Sequence, residues 1–132
     1  KEMGGEETPG IGFGLGVERL LMVIGAEKLE LKTRELDVFL VDLVNNDVSK
    51  KMFQDLSSLM RINNLSVDNC FGSKSMKASM KQADRSGAKF TIICGENELQ
   101  NNVVSLRNMS SGEQKEYSES ATETIVNHIK NS

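Results

Sequence analysis

The stretch Asp37-Val38-Phe39-Leu40-Val41-Asp42-Leu43 decides the fold. It is short, apolar and β-prone without alternation, as expected of a strand buried on both faces. Phe90-Thr91-Ile92-Ile93-Cys94, closed by Gly95, reads the same way. Strands covered on both faces call for helices on both sides of a largely parallel sheet. The intervening sequence supplies them. Asn45, Asn46 and Asp47 carry turn and N-cap chemistry. Val48, Met52, Phe53, Leu56, Leu59 and Met60 then follow helical spacing, one stripe toward a core. Asn63-Asn64 ends that helix, and Leu65 to Phe71 reads as a strand ending at Gly72.

Ser75 to Ser86 reads as a second helix, with Met76, Met80 and Ala83 on its buried side and Gly87 as its stop. After Phe90–Cys94, the segments Val103 to Asn108 and Glu113 to Ser118 flank Met109-Ser110-Ser111-Gly112, a hairpin signal. Ser120 to Lys130 is the last helix, with Ile125, Val126 and Ile129 inward and His128 on its polar side, a surface position. The order β-α-β-α-β-β-β-α implies parallel strands joined to an antiparallel hairpin. With right-handed crossovers it makes a three-layer α/β/α sandwich.

Residues 1–36 have another character. They hold seven of the eleven glycines and the only proline, Pro9. Ile11-Gly12-Phe13-Gly14-Leu15-Gly16 precedes a helix-like run, Val17 to Ile24, for which Gly25 is the expected stop. The charged stretch after it reads as a linker. Alternating glycines leave one strand face bare for a planar ligand. Arg19 would sit on the first turn of the following helix, where N–H groups and the dipole favour phosphate. The dinucleotide fingerprint fails, with Val17 where a third glycine is required. The P-loop fails for want of Gly-Lys-Ser/Thr. A glycine loop packed on a helix with Arg19 at the surface is the bland alternative.

The chain has 132 residues and a formal charge of −3, with two cysteines and one histidine. That inventory offers no zinc cluster and no Cys/His nucleophile pair, and Cys70 and Cys94 read as packing residues of a reducing, cytoplasmic protein. The longest apolar run, Leu20 to Ile24, is too short to cross a bilayer. Lys1 opens the chain without methionine, so a fragment is expected. The acidic total argues against a general nucleic-acid binder, yet it is unevenly spread. Residues 74–95 carry Lys74, Lys77, Lys81, Arg85 and Lys89 against Asp84 alone, a local +4. Lys74, Lys77, Lys81 and Arg85 follow i, i+3, i+7, i+11, one helical stripe able to grip phosphates without reading sequence. A solvated helix face explains such a stripe equally well. In the turn Gly95-Glu96-Asn97-Glu98, two carboxylates and an amide could accept from exposed base edges of single-stranded RNA; a solvated turn is again the plain alternative.

Gly4-Gly5 and then Thr8-Pro9-Gly10-Ile11-Gly12-Phe13-Gly14-Leu15-Gly16-Val17-Glu18-Arg19-Leu20-Leu21 resemble the third signature motif of class II aminoacyl-tRNA synthetases, most closely its histidyl version. Cys94-Gly95-Glu96-Asn97-Glu98 and the strand carrying Arg107 resemble the Gly-Glu-x-Glu turn and basic strand of class IIa anticodon-binding domains. The resemblance covers essentially the whole chain. It implies residues 1–25 as the motif 3 end of a catalytic domain, 26–36 as linker and 37–132 as an anticodon-binding domain. That domain would have five mixed strands, one antiparallel, and three helices, preceded by a strand–helix remnant.

The resemblance further implies roles. Gly12, Gly14 and Gly16 would floor the ATP site, and Arg19, the catalytic residue, would hold the γ-phosphate. Ser73, Lys74, Lys77, Glu96, Glu98 and Arg107 would meet the anticodon. The parent enzyme would be a cytoplasmic homodimer that uses ATP with Mg²⁺ to join histidine to its tRNA. Its partner would be the anticodon stem-loop of histidine tRNA, with no membrane and no DNA. This chain alone would be catalytically incompetent and need no cofactor, because the motifs completing the ATP site would precede Lys1. A regulatory paralogue, the histidine-pathway ATP phosphoribosyltransferase subunit, is the alternative from another class. A flavodoxin-like nucleotide module is a third, with the acidic loop Val44-Asn45-Asn46-Asp47 against it.

Overall fold

The structure is a computed structural model that describes residues 14, 16–26, 35–70 and 75–132. The chain divides into two units, Lys1–Thr33 and Arg34–Ser132. In the first unit α1 spans Val17–Ala26, opened by the Leu20 N–H donating to the Gly16 carbonyl at 3.0 Å. Gly25 lies inside this helix rather than ending it. A helical glycine weakens a helix by only ~1 kcal/mol, too little to impose a stop.

The second unit runs β1 (Val38–Asp42), α2 (Asp47–Ile62), β2 (Val67–Asn69), α3 (Met76–Ser86), β3 (Phe90–Cys94), α4 (Glu96–Gln100), β4 (Val103–Asn108), β5 (Gln114–Ser118) and α5 (Thr122–Lys130). The sheet order is β2-β1-β3-β4-β5. β1 pairs in parallel with β2 and β3, and β4 is antiparallel to both its neighbours. The expected mixed sheet with one antiparallel strand is what forms.

Period two along β1 and β3 builds the two cores. Val38, Leu40, Phe90, Ile92 and Cys94 point to the side covered by α2 and α5, where Phe53, Met60 and Ile125 meet them. Phe39, Val41 and Ile93 point to the other side, onto Ala83 and Met80 of α3. Asn46 caps α2, its side-chain oxygen accepting from the Ser49 N–H at 2.8 Å. Asn63 and Asn64, the latter at φ 65°, end that helix. Gly87 ends α3 at φ 71°, a left-handed conformation that suits glycine.

Further sequence expectations change. On α2, Val48 and Leu59 are exposed rather than core-facing, since the buried stripe centres on Phe53, Leu56 and Met60. The turn after β3 is the short helix α4, giving four helices among the described residues of this unit rather than three. β2 occupies only Val67–Asn69 of the expected Leu65 to Phe71. On α3 the inward residues are Ser79, Met80 and Ala83, while Met76 is exposed. His128 is half-buried: its Nδ1 lies 2.9 Å from the Tyr117 hydroxyl, and its ring meets Phe90 edge-on.

Candidate nucleic-acid interface

The candidate residues gather on the sheet face covered by α3. The chain after β2 brings the Cys70 thiol toward Gln82 Oε1 at 3.2 Å and Ser79 Oγ at 3.8 Å. Those contacts fix which flank of α3 faces β2. At 100° per residue, Met76, Met80 and Lys77 then lie on the flank toward β3 and β4. Lys77, Lys81 and Arg85 all point to solvent, away from the buried side. Lys89, the last member of the basic block, is paired instead, with its Nζ 3.2 Å from Glu35 Oε2. Ser73, Lys74, Phe71 and Gly72 lie outside the described residues.

Beyond α3 the same face continues over β4 and β5. Register sets Arg107 opposite Thr91 on β3 and Gln114 on β5, and Ser105 opposite Ile93 and Glu116. Opposed residues share a face, so Arg107, Gln114 and Glu116 stand together on it. Gln114 and Glu116 are exposed and Arg107 is half-buried. Ser105 is fully buried, and its Oγ has no hydrogen-bond partner. Such a hydroxyl costs about 1–3 kcal/mol until something donates to it or accepts from it. Sequence reasoning missed Ser105, Gln114 and Glu116. The alternation Val103-Ser105-Arg107 was the available signal, since period two puts Ser105 on the arginine's face.

The Gly95–Glu98 turn is placed differently from its reading as an open acceptor loop. Glu98 Oε2 accepts from the Gly95 N–H at 3.1 Å, a capping contact at the third position of α4. A Cβ built on Gly95 would lie 2.8 Å from that oxygen, so a larger residue would displace the end of the Glu98 side chain from its capping contact. One oxygen of Glu98 is thus occupied within the chain, while Glu96 and Asn97 are exposed. Glu98 and Arg107 are not brought together. Arg107 is level with Thr91, four residues before Gly95, which is ~13 Å at strand rise. Any RNA touching both must run along the sheet.

Cys94 lies under this end of the sheet, fully buried. Burial pushes its thiol up to about 11, helped by the carboxylates of Asp42, Glu98 and Glu119. It is a packing residue. Among the described residues no His/Cys/Asp/Glu group could hold a metal ion, and no helix is long and apolar enough to cross a membrane. In the first unit Arg19 is exposed on the first turn of α1. Among the described residues a Cβ on Gly14 would meet nothing within 4 Å, and the nearest atoms to one on Gly16 are those of the Arg19 side chain, from 3.8 Å. Among the described residues, packing therefore does not require glycine at either position. Gly12 lies outside them.

A five-stranded mixed sheet between two helical layers, with a basic helix on one face, defines an α/β sandwich domain. The family model described as anticodon binding domain matches residues 37–130, and the chain belongs to that family. A histidine–tRNA ligase of Lysinibacillus sphaericus is 39% identical over 130 residues, covering 98% of this chain and 30% of its own length. The solved structure of apo histidyl-tRNA synthetase from Staphylococcus aureus is 36% identical, with a TM-score of 0.60, covering 86% of this chain and 28% of that one. The RNA binding domain of a threonyl-tRNA synthetase from Cryptosporidium parvum shares the fold, with a TM-score of 0.61 at 9% identity over 74% of this chain and 23% of that one. The chain spans less than a third of the length of the curated relatives it matches.

Proposed function

We propose that residues 37–132 are the anticodon-binding domain of a cytoplasmic, homodimeric histidine–tRNA ligase and grip the anticodon stem-loop of histidine tRNA. In this reading residues 1–25 are the end of the catalytic domain and 26–36 the linker. One observation carries it: Lys77, Lys81 and Arg85 form one exposed stripe on α3, and Arg107 stands on the open half of the same sheet face. The lysines hold phosphates without reading sequence. Arg107, with Gln114 and Glu116 beside it, offers donors and acceptors to unstacked bases. Ser73 and Lys74 extend the phosphate grip, and Glu96 and the free oxygen of Glu98 add acceptors at the far end of the sheet. The regulatory-paralogue reading has no observation in its favour, since the relatives above are named as ligases.

The parent activity follows from the same reading: ATP with Mg²⁺ activates histidine, which is then transferred to tRNA. ATP and Mg²⁺ supply the activation chemistry when bound. Gly12, Gly14 and Gly16 would floor the adenine site, and Arg19 would hold the γ-phosphate.

The test is titration of the chain with a histidine anticodon stem-loop across a salt series. Lys77→Gln with Lys81→Gln should weaken binding of every RNA and flatten the salt slope by about one for each phosphate no longer held. Arg107→Gln should instead narrow discrimination between anticodons by about 1–3 kcal/mol. No binding at low salt overturns the proposal.

A further inference from the structure

A second site lies on the opposite face of the sheet. A groove of about 390 Å³ runs between α2 and the outer strand β2. That volume is within the range of small-molecule pockets, roughly 300–1,000 Å³. Its floor is apolar, made by the buried side chains of Leu40 and Phe53. One wall is a single stripe of α2, Lys50, Gln54, Ser57 and Arg61, at i, i+4, i+7, i+11 and ~16 Å long at 1.5 Å per residue. Asn69 of β2 forms the other wall, and Asn45, held at φ 55°, closes the carboxyl end of β1 beside Asp42.

The charges in the groove are unequal in availability. Asp42 Oδ1 accepts from the Val44 and Asn45 N–H groups at 3.0 and 2.8 Å, and Oδ2 accepts from Ser49 Oγ at 2.7 Å. Its carboxylate is therefore occupied by the turn into α2. Arg61 donates one N–H, from Nη2, to the Val67 carbonyl at 3.1 Å. That bond holds the guanidinium beside β2 and leaves most of its five donors for a ligand. Among the described residues no ion pair engages Lys50. Two cations and three amides thus surround an apolar floor, with donors in excess of free acceptors.

From this arrangement we propose that the α2–β2 groove binds a nucleotide. The phosphate lies on the Arg61 fork, whose planar geometry matches phosphate oxygens. The ring lies over Leu40 and Phe53, its edge met by the amides of Gln54, Asn69 and Asn45, with Lys50 a second cation at the strand ends. The groove runs from the carboxyl end of β1, where open α/β sheets gather ligands, to Arg61 beside the first residue of β2. The ligand is a free mononucleotide, and the experiment separates it from one nucleotide of an RNA strand. The proposal does not rest on the anticodon reading, since it uses the other face and other cations.

The 132-residue chain is titrated by calorimetry and amide NMR with adenosine and cytidine monophosphates, with inorganic phosphate, and with the histidine anticodon stem-loop. Two variants alter the groove at exposed positions: Lys50→Gln with Arg61→Gln removes the cations, and Gln54→Phe fills the space without removing charge. Saturable mononucleotide binding that each variant weakens about tenfold or more assigns the groove to free nucleotides. RNA binding weakened by both variants, with mononucleotides silent, gives the groove to the RNA and overturns the free-nucleotide assignment. RNA binding that depends on Lys77 and Lys81 but on neither groove variant keeps the anticodon reading and overturns the groove. Mononucleotide binding through Lys50 and Arg61 with no RNA binding does the reverse. Inorganic phosphate binding as tightly as the mononucleotides, or silence of every probe, overturns the nucleotide assignment.

Discussion

Cys94 ends β3 with no exposure, and its thiol is pushed up to about 11 by lost hydration, then by Asp42, Glu98 and Glu119. The sign of the consequence follows from linkage. A folded-state value raised above the unfolded one means the native chain holds the proton more tightly. That contribution is fully present below about 9, the unfolded value, and is lost as pH rises toward about 11. Up to roughly 2–3 kcal/mol is at stake over that window. Urea unfolding from pH 8 to 11 should show stability falling in the parent chain, and falling less steeply in Cys94→Ala; parallel pH profiles would refute the assignment. At residue scale the sequence told Cys94 correctly as packing, because its apolar neighbours announce burial. It misplaced His128 for the opposite reason. A histidine on the polar side of a helical wheel still reaches inward when Tyr117 on β5 offers a hydroxyl at 2.9 Å, a partner 11 residues away that no helical period encodes. Glu98 was legible as a residue of interest but not as a cap.

At the scale of elements, legibility tracked length. The 16-residue α2 is long enough for its helical period to show, and β1 and β3 declare themselves instead as unbroken apolar runs buried on both faces. The five-residue α4 is too short for any period, although Gly95 followed at three residues by Glu98 is a capping-box spacing that could have flagged it. The turn into α2 shows how much a short polar segment can hold. Asn46 and Ser49 exchange backbone bonds at 2.8 and 3.1 Å, and Ser49 Oγ donates to Asp42 at the end of β1. Asn46→Ala removes the side-chain acceptor for one N–H of the first turn. The loss should be about 1 kcal/mol. For a domain near 100 residues that is roughly 4–8 °C in Tm, readable by calorimetry. Ala should be worse than Asp, which restores the acceptor. Equal midpoints for Asn46→Ala and Asn46→Asp would show that the cap carries no net stability.

For the molecule as a whole, the net charge of −3 hides a basic helix set between acidic segments, and an average over the chain loses that arrangement. Hydrophobic residues are divided as unevenly. Among the described residues, the clusters of buried apolar side chains on either side of the sheet are made by residues of the second unit. In α1, by contrast, Val17, Leu20, Leu21, Met22 and Val23 are all exposed, Met22 to 73%. Exposed apolar residues clustered on one short helix mark a surface that attracts dyes and other chains. The two-core arrangement predicts that a polypeptide of residues 35–132 unfolds cooperatively, with a midpoint within about 3 °C of the full chain, a shift below 1 kcal/mol for a domain of this size. The exposed helix predicts that the full chain binds a hydrophobic dye such as anilinonaphthalene sulfonate and that the shorter polypeptide binds much less. Dye binding retained after removal of residues 1–34 would relocate the sticky surface to the apolar stripe of α2, where Val48, Leu59 and Ile62 are also exposed. A non-cooperative transition in the shorter polypeptide would mean that the two buried clusters are not sufficient for folding.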